Sequence, residues 1–114
     1  TCIDQNTVSS SGSGIAVSNS SGTKVTNNTV NGNSHGISVS ANSQSIIVTG
    51  NTANSNTYKG FYLDSSSTIT TFTGNTALGN TPNFEGIGTP TLTITTIVHY
   101  NCDSQQPPNQ NQNQ

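Results

Sequence analysis

The groups able to do chemistry in this 114-residue chain are few: four carboxylates, two histidines, two cysteines, two lysines and three tyrosines. General acid–base catalysis needs titratable groups that converge on one bond. A metal centre needs three or four His, Cys, Asp or Glu ligands. Asp4, Asp64, Glu85 and Asp103 are instead scattered along the sequence, and His35 and His99 stand alone. The expectation is a chain that is not an enzyme, with no metal and no cofactor. One small cluster remains. Lys59 follows Tyr58 and precedes Tyr62 by three residues, a cation among rings that suits a sugar-contact patch or simply forms the ordinary outer face of one structural unit. Asp64 opens the run Asp64-Ser65-Ser66-Ser67, which reads as a turn cap bonding the backbone two residues on.

The elements that carry these groups follow from a recurring frame. Ile3-Asp4-Gln5-Asn6 is echoed by Val25-Thr26-Asn27-Asn28, Val48-Thr49-Gly50-Asn51, Phe72-Thr73-Gly74-Asn75 and Val98-His99-Tyr100-Asn101. Each has an apolar residue three places before Asn, at steps of 22, 23, 24 and 26 residues. A second landmark keeps pace: Gly14-Ile15, Gly36-Ile37, Gly60-Phe61 and Gly86-Ile87. A repeat this short cannot bury its own apolar face and must stack on a neighbour. The pairs Ile15/Val17, Ile37/Val39 and Phe61/Leu63 alternate with Ala16, Ser38 and Tyr62, the period of a short strand with one face inward. No segment has helical spacing. Only 27% of the chain is hydrophobic, but the net charge of −2 is too small for charge-driven disorder. The composition therefore fits a folded chain with a thin core.

The pattern Gly-Ile-x-Val-Ser, a polar stretch, Val-x-x-Asn-Thr, then Gly-Ile again resembles right-handed parallel β-helix repeats of the NosD and pectate-lyase-like kind, over about residues 3 to 101. The resemblance implies an all-β right-handed solenoid of about four to five coils, with three short strands per coil. It also implies an asparagine ladder through Asn6, Asn28, Asn51, Asn75 and Asn101, in which each amide donates to one neighbour and accepts from another. Polysaccharide lyases of this kind use clustered acidic residues for Ca²⁺ and a basic residue for proton abstraction, and no such cluster is present. Threonines at 68, 70, 71 and 73, with 91, 93 and 95, suggest outward rows like those of ice-binding solenoids, broken on the matching faces by Lys24 and Ile47.

The domain is expected at 1–102, followed by an Asn/Gln/Pro-rich tail at 103–114. If the coils stack, Cys2 and Cys102 lie about 19 Å apart, at ~4.8 Å per layer, beyond the ~7 Å between Cα atoms that a disulfide spans. Pairing of Cys102 with Cys2 of a neighbouring subunit is one expectation, and unpaired or separately paired thiols the other. With two lysines and no arginine, no phosphate-binding surface forms, so nucleic acid is not an expected partner. The longest apolar run, Ile46-Ile47-Val48, cannot span a membrane. The lack of Met and the start at Thr1 suggest a processed or excised chain, and hence export. Asn19-Ser20-Ser21 and Asn27-Asn28-Thr29 are N-glycosylation sequons. The leading expectation is a secreted structural subunit that stacks head to tail on itself into an extracellular filament. The alternative is a carbohydrate-binding or carbohydrate-processing β-helix domain of a surface protein, with glycans as partners.

Overall fold

The computed structural model describes residues 1–87. The expected domain boundary, the tail, and the calls on His99, Asn101, Cys102 and Asp103 lie outside the described residues. Twelve short strands, and no helix among the described residues, wind into a solenoid in which each coil contributes one strand to each of three sheets. The first sheet holds β1 (Cys2–Asp4), β4 (Lys24–Thr26), β7 (Ile46–Thr49) and β10 (Ile69–Thr73). The second holds β2 (Thr7–Val8), β5 (Thr29–Val30), β8 (Thr52–Asn54) and β11 (Thr76–Leu78). The third holds β3 (Ser13–Ser18), β6 (His35–Ser40), β9 (Phe61–Leu63) and β12 (Phe84–Glu85). Every pairing is parallel.

The register puts like residues on top of one another. Ile3, Val25, Val48 and Phe72 form one inward column, and Ile15, Ile37, Phe61 and Phe84 another. The core changes character along its length. Val8 and Val30 of the first two coils give way to Ala53 and Ala77, while Ile15 and Ile37 give way to Phe61 and Phe84. The two trends offset in volume, as a close-packed interior requires. Phe61 stacks on Phe84 at 5.6 Å and meets Phe72 edge-on at 5.3 Å.

The corners between the first and second sheets and between the second and third sheets share one construction. A residue with positive φ turns the chain, and the next residue sends its side chain inward. At the corner between the first and second sheets the turning residues are Gln5, Asn27, Gly50 and Gly74, all at φ between 56° and 68°. The inward residues are Asn6, Asn28, Asn51 and Asn75. Asn28 and Asn51 are almost fully buried, a costly place for an amide unless every polar atom is bonded. Here each is bonded. The backbone N–H and Nδ2 of Asn28 both donate to Asn51 Oδ1 at 2.9 Å, and Asn51 does the same to Asn75 Oδ1 at 3.0 Å. The second Nδ2 proton goes back one coil, from Asn28 to the Ile3 carbonyl and from Asn51 to the Val25 carbonyl. Among the described residues no buried side-chain nitrogen or oxygen lacks a partner.

A second ladder, which the five-asparagine frame does not include, runs through the next corner. Ser11 N–H donates to Asn33 Oδ1, Asn33 N–H to Asn56 Oδ1, and Asn56 N–H and Nδ2 to Asn80 Oδ1. Asn80 in turn donates to Asn83 Oδ1 at 3.0 Å. At the third corner hydroxyls replace amides: Ser20 N–H donates to Ser43 Oγ and Ser43 N–H to Ser67 Oγ. Three polar seams of one direction thus bind the edges of the prism.

The Gly-Ile landmark marks backbone crowding. A Cβ on Gly36 would lie 2.3 Å from the Gly60 carbonyl oxygen, and one on Gly60 2.6 Å from the Asn83 carbonyl oxygen. The fourth member of the column is therefore Asn83-Phe84, with Phe84 opposite Phe61, and not the expected Gly86-Ile87. Asn83 takes the place because its side chain also receives the second ladder. The threonine rows differ as well. The regular column is Thr7, Thr29, Thr52 and Thr76 on the second sheet, whereas β10 carries a register shift between Ile69 and Thr71.

Candidate functional site

The third sheet holds the residues with the most varied chemistry. Along β6, Ile37 and Val39 point inward, which leaves Ser38 and Ser40 on the outer face. Register then sets Ala16, Ser38, Tyr62 and Glu85 side by side across four coils. In the second coil two residues, Ser34 and His35, separate Asn33 from Gly36. In the third, three residues, Thr57, Tyr58 and Lys59, separate Asn56 from Gly60. Since both the asparagines and the glycines stay in register, the extra residue is extruded, and with it come Tyr58 and Lys59.

The result is a shallow hollow of about 230 Å³, lined by Ser13, His35, Ser38, Ser40, Lys59 and Tyr62. Lys59 Nζ lies 4.1 Å from the centre of the Tyr62 ring and 3.4 Å from Glu85 Oε2. Tyr58 packs on His35, with ring centres 5.2 Å apart, and keeps 54% of its surface exposed. A cation over an exposed ring and an exposed ion pair are each worth about 0.5–1 kcal/mol at most. Together they orient the lysine without locking it. Of the three expected sugar contacts, the structure thus joins Lys59 to Tyr62 and sets Tyr58 against His35 at the rim. His35 and Glu85 belong to the cluster too, and sequence spacing alone does not connect them to it.

The other carboxylates have structural partners. Asp4 receives the Thr26 hydroxyl, Asn27 Nδ2 and Gln5 Nε2. Asp64 Oδ1 receives the Ser66 N–H and hydroxyl, and Oδ2 receives the Ala41 N–H at 3.1 Å. Burial pushes the Asp64 carboxyl up, but the bonds from Ala41, Ser67 and Ser66 outweigh it and hold the group below its ordinary value. Among the described residues no three His, Cys, Asp or Glu side chains gather as a metal site would need.

The remaining expected sites divide. Asn19 is exposed at a turn with φ 49°, whereas Asn27 is half-buried with its amide nitrogen donated to Asp4. Cys2 opens β1 at the edge of the first sheet, and Cys102, with the expected pairing of the two cysteines between subunits, lies outside the described residues.

Comparison with curated proteins and with solved structures finds no match. The right handed beta helix region family matches residues 1–102, nearly the whole chain. With parallel coils, three sheets and inward amide ladders already in place, the chain belongs to the right-handed β-helix family.

Proposed function

We propose that this chain is a non-enzymatic β-helix that binds carbohydrate on the outer face of its third sheet. The observation that carries the reading is the hollow lined by Lys59, Tyr62, His35, Ser13, Ser38 and Ser40, where a ring, a cation and hydroxyl-bearing residues gather and Glu85 pairs with Lys59 beside them. Sugars present apolar C–H faces rimmed by hydroxyls, so they suit a site that mixes rings with hydrogen-bonding groups. The solenoid supplies a rigid, flat wall on which such groups keep fixed spacing. A glycan array probed with the purified chain tests the reading. Binding that Tyr62→Ala and Lys59→Met each weaken at least tenfold supports it, while equal binding by both variants removes the third sheet from consideration.

A second reading, head-to-tail stacking of copies into an extracellular filament, draws on the direction of the ladder. The Oδ1 of each asparagine rung accepts from the coil before it, so Asn6 Oδ1 at the first coil accepts from no described residue. The edge strands β1, β2 and β3 also face outward along the axis, and such edges template pairing with another chain. Contacts of this heterologous kind propagate unless they close. Negative-stain images of concentrated protein showing only single particles would remove this reading. Both readings suit a chain that works outside the cytosol, the setting in which its two cysteines could pair.

A further inference from the structure

We infer that the third-sheet hollow selects neutral glycans and rejects anionic ones, with Glu85 as the residue that sets the choice. This rests on the reading that the hollow binds carbohydrate. Lys59 is the one lysine that lines the hollow, and its charge is already engaged: Glu85 Oε2 sits 3.4 Å from Nζ and the Tyr62 ring lies beneath it at 4.1 Å. A carboxylate or sulfate on a sugar would have to displace Glu85 to reach the ammonium group. Like charges brought together in that exchange repel, which is a common way for a site to discriminate.

Asp64 adds to the barrier. It follows β9 on the same side of the molecule, its backbone N–H donates to the Val39 carbonyl and its Oδ2 accepts from Ala41 N–H, next to Ser40 at the wall of the hollow. Its hydrogen bonds favour the ionised form. The lysine and two carboxylates around this face sum to a negative charge, so an acidic polysaccharide meets repulsion on approach. A neutral chain loses nothing by the pairing. Its hydroxyls can bond to Glu85, Ser38 and Ser40 while Lys59 stays in place, and its binding releases no counterions, so it is nearly insensitive to salt.

The test compares neutral oligosaccharides (gluco-, manno- and galacto-linked) with oligouronates and sulfated oligosaccharides by titration calorimetry, at low and high salt. Wild type is expected to bind a neutral chain with less than a twofold change across the salt range and to bind the anionic chains at least tenfold more weakly. Glu85→Gln frees the Lys59 charge without changing shape. It is expected to gain at least tenfold for the anionic chains, in a manner that salt abolishes, and to keep its affinity for the neutral chain within a few-fold. A wild-type preference for anionic chains, or no gain in Glu85→Gln, overturns the selectivity while leaving carbohydrate binding intact. Failure of folded wild type to bind any chain overturns both this inference and the reading beneath it. Circular dichroism of wild type and of Glu85→Gln establishes that each is folded before it is titrated.

Discussion

The Asn28 side-chain amide and backbone N–H both donate to one oxygen, Asn51 Oδ1, at 2.9 Å each. A single acceptor thereby satisfies two buried donors from the coil before, and Asn51 Nδ2 reaches back to the Val25 carbonyl at 2.8 Å. Removing the Asn51 side chain strands three groups at once. An unsatisfied buried donor or acceptor costs about 1–3 kcal/mol. Asn51→Ala is therefore expected to lose about 3 kcal/mol or more in urea unfolding. Asn6→Ala, at the exposed first rung, is expected to lose about 1 kcal/mol or less. Equal losses at the two positions would show that the ladder contributes little beyond local turn formation.

Backbone crowding at the glycine column gives a second contrast. Gly36→Ala places a methyl group 2.3 Å from the Gly60 carbonyl oxygen, a contact that only separation of two coils can relieve. Overpacking of this kind costs about 1–3 kcal/mol. Gly12→Ala meets nothing within 4 Å and is expected to change stability by less than about 0.5 kcal/mol. Thermal melts of the two variants read the difference directly.

Acid should loosen the loop closed by Asp64. The folded-state pKa is depressed, so the unfolded chain binds the proton more readily. The stabilisation is fully present above the unfolded value of about 3.9 and is lost as pH falls through the lower folded value. Amide shifts of Ala41 and Ser66, followed by NMR from pH 6 downward, are expected to move together below about pH 4. In Asp64→Asn that joint movement should vanish. Amides that stay still over this range would show that the Asp64 carboxylate does not hold the loop.

The two sequons are expected to behave differently in a glycosylating secretory host. Asn19 stands on an exposed turn, but the Asn27 amide is tied to Asp4, and its Oδ1 lies over Gly50, 2.6 Å from where a Cβ would be. Asn19→Gln should remove the glycan mass and Asn27→Gln should leave it unchanged. Glycan on Asn27 would mean that modification precedes closure of the first corner.

Much of the scaffold was readable in the residues because stacking imposes the same demand at every coil. The corner with Asn6, Asn28, Asn51 and Asn75 announces itself through Val-x-x-Asn-Thr. The second ladder uses the same frame five residues later, as Val30-Asn31-Gly32-Asn33, Ala53-Asn54-Ser55-Asn56 and Ala77-Leu78-Gly79-Asn80. It is harder to see because alanine is a weak apolar marker. Position-specific crowding misled at the last coil: Gly86 looks like a column member, yet Asn83 occupies that place. The hollow was legible only in part. Tyr58, Lys59 and Tyr62 are near in sequence, but His35 and Glu85 join them through register, one coil before and one coil after. That relation exists only once coil lengths are known to the residue.

The uniform direction of the three seams has a mechanical consequence. Strand pairing and corner side chains all bond along the long axis, so a pull on the two ends loads every bond between two coils in parallel and successive coils in series. Resistance to stretching is then set by the weakest junction and does not grow as coils are added. A twist about that axis instead shears the interlocked side-chain columns along the entire length.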